Sequence, residues 1–577
     1  MTPTDPKRAW WKESSVYQIY PASFKDSNGD GLGDIPGITS KLDYIKALGV
    51  DIVWTCPIYK SPQVDMGYDI SDYRDIHAPY GTLKDVDKLI EGCHSRGMKF
   101  LMDLVVNHTS DQHKWFMEAK KGKDNPYRDF YIWKKPKIND DGSKSPPNNW
   151  GSVWGGSAWE YDEASDEYYL HIFAPEQPDL NWENPKVRDE VHDIVRFWLD
   201  KGVDGFRMDV INFISKVPGL PDAPITRPDV EFQPGDKYFA CGPRLHEYLQ
   251  AIGKILKEYN AFSVGEMPCV DDPKEILKAV GFGRGELNMI FHFEIVDMDI
   301  GDRGKFSPRE WQMSTLKSIV NEWQTFMIDN DGWNALYLEN HDQSRTVSRW
   351  GSDLPEFRVV SAKMFATFMA LQSGTVFVYQ GQELGMVNVP LSRDISEYRD
   401  LETLQAWDDM MKRYPDDKEL HRITKQEIQK KSRDNARTPM QWSKEKYAGF
   451  SAAKPWQKEN ESYVDINAES QVGIHGSVFE YWASILRLRK SHKDIFIYGA
   501  FEMVDMQNDN VLAYTRTFGE EKVLVVANFR KESLTWTLPK EISLQKEKVL
   551  TSSYGGINIM DGELSLKPFE AFACFVD

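Results

Sequence analysis

The chain has 577 residues, 41% of them hydrophobic and 28% charged, with 70 basic against 89 acidic side chains for a formal charge of −19. That length exceeds one ordinary domain, and the acidic balance argues against nucleic-acid or anionic-membrane partners, which need concentrated Lys and Arg. The N-terminal stretch MTPTDPKRAWWKESS lacks the apolar segment of a secretory leader, and no run approaches the roughly 18 apolar residues that span a bilayer. Cys56, Cys93, Cys241, Cys269 and Cys574 are scattered, without CxxC spacing. They read as small buried residues and not as a disulfide framework or zinc site. The expectation is a soluble, cytoplasmic monomer.

Strand-like runs begin with SVYQIYPASF at 15 and continue through VDIVWTCPIY at 50, KFLMDLVVNH at 99 and VDGFRMDV at 203. FSVGEM at 262, LNMIFHFE at 287, ALYLENHD at 335 and TVFVYQGQE at 375 complete the series. Amphipathic stretches lie between them, among them ITSKLDYIKALG, VRDEVHDIVRFWLDKG and RLHEYLQAIGKILKEY. Gly49 and Gly202 close two of these as left-handed caps. Strand candidates interleaved with helices predict an α/β fold, a (β/α)8 TIM barrel, with a doubly wound open sheet as the alternative that periodicity leaves open. The barrel is expected over 1–108 and 175–494. Residues 109–174, rich in Lys, Asp, Pro, Asn and aromatics, are too long for a simple connection and predict a small inserted domain. A second excursion spans 386–472, and the helix SVFEYWASILRLRKSHK closes the barrel. Short alternating runs from 495 to 577 predict an all-β sandwich domain.

Three acids stand where apolar runs stop: Asp209, Glu266 and Asp342. A carboxylate at the carboxyl end of a barrel strand reads as catalytic, since bulky side chains fill the interior and the top face carries the loops. Any one of them alone reads equally as a salt-bridged structural acid. Glycoside cleavage needs one carboxylic acid for the leaving oxygen and a second carboxylate for the anomeric carbon. Asp209 and Glu266 suit those roles if their strands are neighbours. Arg207, two residues before Asp209, points to the same strand face, where it either orients Asp209 or forms a plain structural ion pair. His108 and His341 end two other runs, beside Asp103, Asn107 and Asn340. They fit hydrogen-bond donors to sugar hydroxyls and satisfied core histidines alike. Asp26, Asn28, Asp30, the Leu32 carbonyl and Asp34 space oxygens as calcium loops do, though Gly37 at the twelfth position excludes an EF-hand. A solvated Asp/Gly turn is the competing reading.

The segments DLVVNH (103–108), GFRMD (205–209), VGEM (264–267) and ENHDQ (339–343) resemble, in order, the four signature regions of glycoside hydrolase family 13, the α-amylase family. QIYPASFKD and ARTPMQW extend the likeness, which covers essentially the whole chain. It is closest to the α-glucosidase group of fungal maltases and isomaltases and bacterial oligo-1,6-glucosidases. The resemblance implies Asp209 as nucleophile, Glu266 as general acid/base and Asp342 as stabiliser of the distorted sugar, with retention through a covalent glucosyl-enzyme. It implies substrate contacts from Asp65, Tyr68, His108, Phe173, Arg207, His341 and Arg437, with exo action on short α-glucosides. The relatives' calcium loop has the 26–34 pattern, so a structural Ca2+ is implied and no organic cofactor. Val210, after the nucleophile, matches α-1,6-preferring members, where maltases tend to carry Thr. Maltase or sucrase activity is the alternative. A sucrose isomerase or transglucosylase is another, although 292–303 matches the isomerases' Arg/Asp-rich loop poorly. A non-catalytic relative, such as a transporter heavy chain, lacks the acids retained here.

Overall fold

The computed structural model describes residues 8–576 apart from 271, 303 and 561. Residues 1–7, used in the leader reading, and Arg303 of the 292–303 stretch lie outside the described residues.

The strand-like runs fold as β1 (Ser15–Ile19), β2 (Ile52–Thr55), β3 (Lys99–Val105), β4 (Gly205–Asp209), β5 (Phe262–Glu266), β6 (Met289–Phe291), β7 (Ala335–Leu336) and β8 (Thr375–Tyr379). They belong to one sheet in the order β6-β5-β4-β3-β2-β1-β8-β7. The first strand pairs in parallel with the eighth, Ser15 opposite Val376. That pairing makes the sheet a (β/α)8 barrel, because an open doubly wound sheet reverses its order at a switch point and leaves its ends apart. Every residue of β1, β2, β4, β5 and β8 is buried, as near-continuous Val, Ile, Phe and Met runs in a parallel sheet should be. Gly205 opens β4 with φ +155°, and a Cβ there would lie 2.0 Å from the Phe262 carbonyl oxygen. The glycine lets β4 and β5 run side by side.

Two compact units divide the chain, one of 1–53, 92–98 and 293–577, the other of 54–91 and 99–292. The second carries β3 to β6 and the insertion after β3. In that insertion Trp159–Asp162 and Glu167–Leu170 pair antiparallel, with Trp133–Lys134 on the other side of the latter. Its Trp150, Trp159, Leu170 and Ile172 share one apolar cluster with Val210 and Phe213, which follow β4. Insertion and strand end are therefore packed as one body.

The first unit carries β1, β7 and β8, the excursion and the C-terminal sheets. The excursion is built on two helices, Leu401–Arg413 and Lys418–Lys431. The C-terminal region is all β, a five-stranded antiparallel sheet and a three-stranded one. Leu524, Val526 and Phe572 of the larger sheet meet Trp536, Leu564 and Leu566 of the smaller in one core, the packing of a sandwich.

Local differences from the sequence reading have local causes. The single helix expected over 38–49 is two, Ile35–Ser40 and Leu42–Leu48, broken at Lys41. The Thr39 and Ser40 hydroxyls donate back to the Ile35 and Gly37 carbonyls, which loosens that turn. Gly49, at φ +97°, closes the second piece as expected. Cys241 is half-buried and Cys269 exposed, so only Cys56, Cys93 and Cys574 are core residues.

Candidate active site

Arg207 is the centre of the first set of functional side chains. In the β4–β3 register it stands opposite Asp103 and in β4–β5 opposite Val264, so its guanidinium reaches both neighbouring strands. Nη1 donates to Asp103 Oδ1 at 2.8 Å and to Asp209 Oδ1 at 2.7 Å, and Nη2 donates to Glu266 Oε2 at 2.6 Å. One cation thus holds three carboxylates. Burial pushes the Asp209 and Asp103 carboxyls up, to about 7 and about 6, against the pull of Arg207. A set with two surplus negative charges in so dry a place retains a proton near neutrality.

Exposure separates the roles. Asp209 and Glu266 each keep 10% of the side chain accessible, whereas Asp103 keeps none. Asp103 therefore positions Arg207 and cannot meet a ligand. Tyr68 donates its hydroxyl to Asp103 Oδ2 at 3.1 Å. Val210 turns the chain sharply after β4 with φ +34° and ψ +43°, a left-handed conformation strained for a β-branched residue. The turn aims its N–H at Glu266 Oε2, 3.3 Å away. Its side chain is only 7% exposed, inside the apolar cluster.

A second layer surrounds this set. Asp65 accepts from the Gln177 amide at 3.3 Å, and Asp69 anchors the 64–65 backbone. His108 places Nε2 3.0 Å from the Tyr68 carbonyl oxygen, and burial lowers its pKa. Phe173, partly exposed, lies 5.1 Å from the His108 ring and is offset-stacked on Phe213 at 6.3 Å. Asp65, Tyr68, His108, Phe173, Arg207, Asp209, Val210 and Glu266 all belong to this unit.

Asp342, His341 and Arg437 belong to the other. Asp342 Oδ1 accepts from Arg437 Nη2 at 2.9 Å and Arg433 Nη1 at 3.1 Å, and Oδ2 lies 3.0 Å from His341 Nε2. Burial opposes ionisation, but His341, Arg433 and Arg437 overcome it and hold the Asp342 carboxyl well below the usual range. Arg433 also pairs with the buried Asp400 at 2.6 Å. The Gln18 amide supports His341 Nδ1 at 2.9 Å.

The 26–34 loop closes on itself. Asp26 accepts from the Asn28, Gly29 and Gly31 N–H groups and from the Ser451 hydroxyl. These outweigh its burial and lower its carboxyl. Asp34 caps the helix that follows, accepting from Gly37 N–H, and takes the Ser27 N–H and hydroxyl. Asn28 and Asp30 are exposed, and Asn28 donates its amide to Asp30. Among the described residues no three or more His, Cys, Asp or Glu side chains are gathered closely enough to hold a metal ion, and Asp26 and Asp34 are occupied by the donors just named.

Sequence reasoning named Asp103 only as a neighbour of His108 and missed Gln177, Asp179, Lys216, Asp400 and Arg433. Asp103 had a signal, since it lies one strand over from Arg207 with the same inward parity. The others sit in loops and carry none.

The α-amylase catalytic-domain family matches residues 18–499, and the α-amylase SusG C-terminal-domain family matches residues 511–572. An α-glucosidase of Schizosaccharomyces pombe is 49% identical, covering 98% of this chain and 98% of its own. An oligo-1,6-glucosidase of Parageobacillus thermoglucosidasius is also 49% identical, again with 98% of each chain covered. Among solved structures, an isomaltulose synthase of Erwinia rhapontici is similar at TM-score 0.93 and 40% identity, covering 99% of this chain and 100% of that one. A trehalose-6-phosphate hydrolase of Bacillus licheniformis gives TM-score 0.91 and 42% identity over 99% and 100%.

Proposed function

This chain belongs to the α-amylase family of glycoside hydrolases, and on that premise we propose that it is an exo-acting, retaining α-glucosidase that releases glucose from the non-reducing end of short α-glucosides, with a preference for α-1,6 links such as isomaltose. The observation that carries the reading is the shared guanidinium, with Asp209 on Nη1 of Arg207 and Glu266 on Nη2. Two carboxylates tied to one small cation have the near spacing that a nucleophile and its partner acid need.

In the proposed sequence Glu266 gives its proton to the glycosidic oxygen while the Asp209 carboxylate attacks the anomeric carbon. The aglycone leaves as an alcohol and a β-glucosyl ester of Asp209 forms. Glu266, now ionised, takes a proton from water, whose oxygen attacks the same carbon; the ester bond breaks and α-glucose leaves with configuration retained. Asp342 is assigned the third acid's role, steadying charge and hydroxyls of the distorted sugar. The firm ionisation that His341, Arg433 and Arg437 impose against burial supports that role. Asp65 and Arg437 are proposed as hydrogen-bonding groups for the terminal sugar, and Tyr68 and Phe173 as apolar surface for it.

A structural Ca2+ in the 26–34 loop, held by Asp26, Asn28, Asp30, the Leu32 carbonyl and Asp34, accompanies the proposal. It would add rigidity and take no part in the chemistry. Five cysteines without a disulfide support a reducing compartment. Among the described residues no helix is long and apolar enough to cross a membrane.

The test is product analysis on isomaltose, maltose, sucrose and trehalose 6-phosphate in parallel. Glucose released chiefly from isomaltose is expected. Dominant maltose or sucrose cleavage would replace the linkage preference and keep the mechanism, whereas rearranged disaccharide from sucrose would make the chain an isomerase. No turnover of any α-glucoside would sink the reading.

A further inference from the structure

His108 is 1% exposed, and its two ring nitrogens face partners of opposite kind. Nε2 lies 3.0 Å from the Tyr68 carbonyl oxygen, which only accepts, so that nitrogen carries the proton. Nδ1 lies 3.3 Å from Asn107 Nδ2. The Asn107 amide cannot be turned round. Its Oδ1 receives the Lys216 ammonium at 3.0 Å, a group that only donates, and its Nδ2 donates to Asp179 Oδ2 at 3.1 Å, a group that only accepts. The second N–H of the amide therefore meets Nδ1, which must be bare. The Gln177 amide, oriented by Ala174 N–H on Oε1, also brings its nitrogen to 3.2 Å from Nε2, but Asp65 Oδ2 at 3.3 Å and the Tyr68 carbonyl at 3.5 Å accept its hydrogens, so Nε2 keeps its own.

Behind the amide lies a buried ion pair. Lys216 Nζ is 2.8 Å from Asp179 Oδ2, with side chains 5% and 0% exposed. Lys216 also donates to the Phe213 carbonyl at 2.7 Å, and Asp179 Oδ1 accepts the Ile172 N–H at 2.9 Å. The other charged groups acting on His108 are Asp65 and Asp69, both acidic. A buried carboxylate beside an imidazole draws a second proton onto the ring unless a cation answers it. Lys216 is that cation.

We propose that Lys216 is a positioning residue for His108: by neutralising Asp179 and fixing the Asn107 amide, it keeps the imidazole neutral, with Nδ1 bare and the proton on Nε2. Burial of the ring works in the same direction. The consequence for sugar binding rests on the glucosidase reading, in which the His108 ring backs Phe173 and holds the Tyr68 backbone, the two residues proposed to meet the sugar; the protonation state does not. With Lys216 removed, Asp179 is left unpaired and the ring takes a proton at Nδ1. That N–H abuts the Asn107 amide and turns the ring out of register.

The experiment is the pH dependence of KM for isomaltose between pH 5.5 and 8 in the wild type, Lys216→Met and Lys216→Arg. Lys216→Met is expected to gain an ionisation absent from the wild type, raising KM about tenfold toward the acid end. Lys216→Arg keeps the cation and is expected to lack that ionisation. Parallel wild-type and Lys216→Met profiles would overturn the proposal. Should Lys216→Met fail to fold, 15N-histidine NMR of the wild type decides, with the His108 resonances assigned by their loss in His108→Gln. A bare Nδ1 and protonated Nε2 throughout that range are expected; an imidazolium or an Nδ1–H tautomer at pH 6 would overturn it. A wild type without glucosidase activity would strike the functional reading, and the NMR result would still stand.

Discussion

At the scale of single residues, charge balance on Arg207 decides most. Its guanidinium is 2% exposed and bonded to Asp103, Asp209 and Glu266. Replacing it by Met leaves buried carboxylates with no cation, a loss of about 3–5 kcal/mol of stability. Arg207→Met is therefore expected to lower the melting temperature sharply and to reduce kcat far more than KM changes, read by calorimetry and steady-state kinetics. Val210 is a finer case. Threonine has the same branched shape and bears the φ of +34° no worse, but it brings a hydroxyl into the cluster formed with Phe213 and Trp150. Val210→Thr is expected to cost about 1–3 kcal/mol of stability if that hydroxyl finds no partner. It is also expected to raise the ratio of maltose to isomaltose kcat/KM. An unchanged ratio would remove Val210 from the specificity argument. The sequence made Val210 a candidate through resemblance; its strained turn toward Glu266 belongs to the folded chain alone.

At the scale of elements, His246 ties together the helices Leu245–Glu258 and Pro273–Val280 and the run into β6. Nδ1 lies 2.7 Å from Glu286 and Nε2 2.9 Å from Glu275, with Lys278 and Arg284 on the far side of those carboxylates. The Glu286 hydrogen bond, against burial and helped by Glu275, raises the His246 pKa above 6.5. A group raised on folding stabilises fully below its unfolded value, and the gain disappears as pH rises through the folded one. His246→Gln is expected to lose about 1.5 kcal/mol at pH 6 and much less at pH 9. Melting curves at both values check it, and an equal loss at both would show a packing effect instead. Helix ends were legible where glycine marks them: Gly49 and Gly202, read as left-handed caps, have φ of +97° and +98°. The break at Lys41 was not, because it depends on where the Thr39 and Ser40 hydroxyls turn.

At the scale of the whole molecule, the 26–34 loop joins distant parts of one unit: Asp26 accepts from Ser451, its N–H donates to the Phe450 carbonyl, and Trp456 N–H reaches the Gly31 carbonyl. A cation there would fasten the chain's beginning to its 450–456 segment. A ligand that binds only the native state stabilises by about 2.7 kcal/mol at a hundred times Kd. Calcium is expected to raise the melting temperature of the wild type but not of Asp30→Ala, with kcat unchanged in both. No shift in the wild type would leave the loop a plain hydrogen-bonded turn. The sequence by itself determined the alternation of strands and helices, Asp209 and Glu266 at the ends of β4 and β5, and the family, because short apolar runs and the residues that stop them are local patterns. Asp342 instead lies six residues past the two-residue β7, Ala335–Leu336. The sequence did not decide between barrel and open sheet; the β1–β8 pairing did. Nor did it find Arg433 on Asp342 or Lys216 on Asn107, partners 91 and 109 residues apart. Those contacts are set by sheet register and by loops folding over strand ends, and a buried charge takes whichever partner that packing brings within reach.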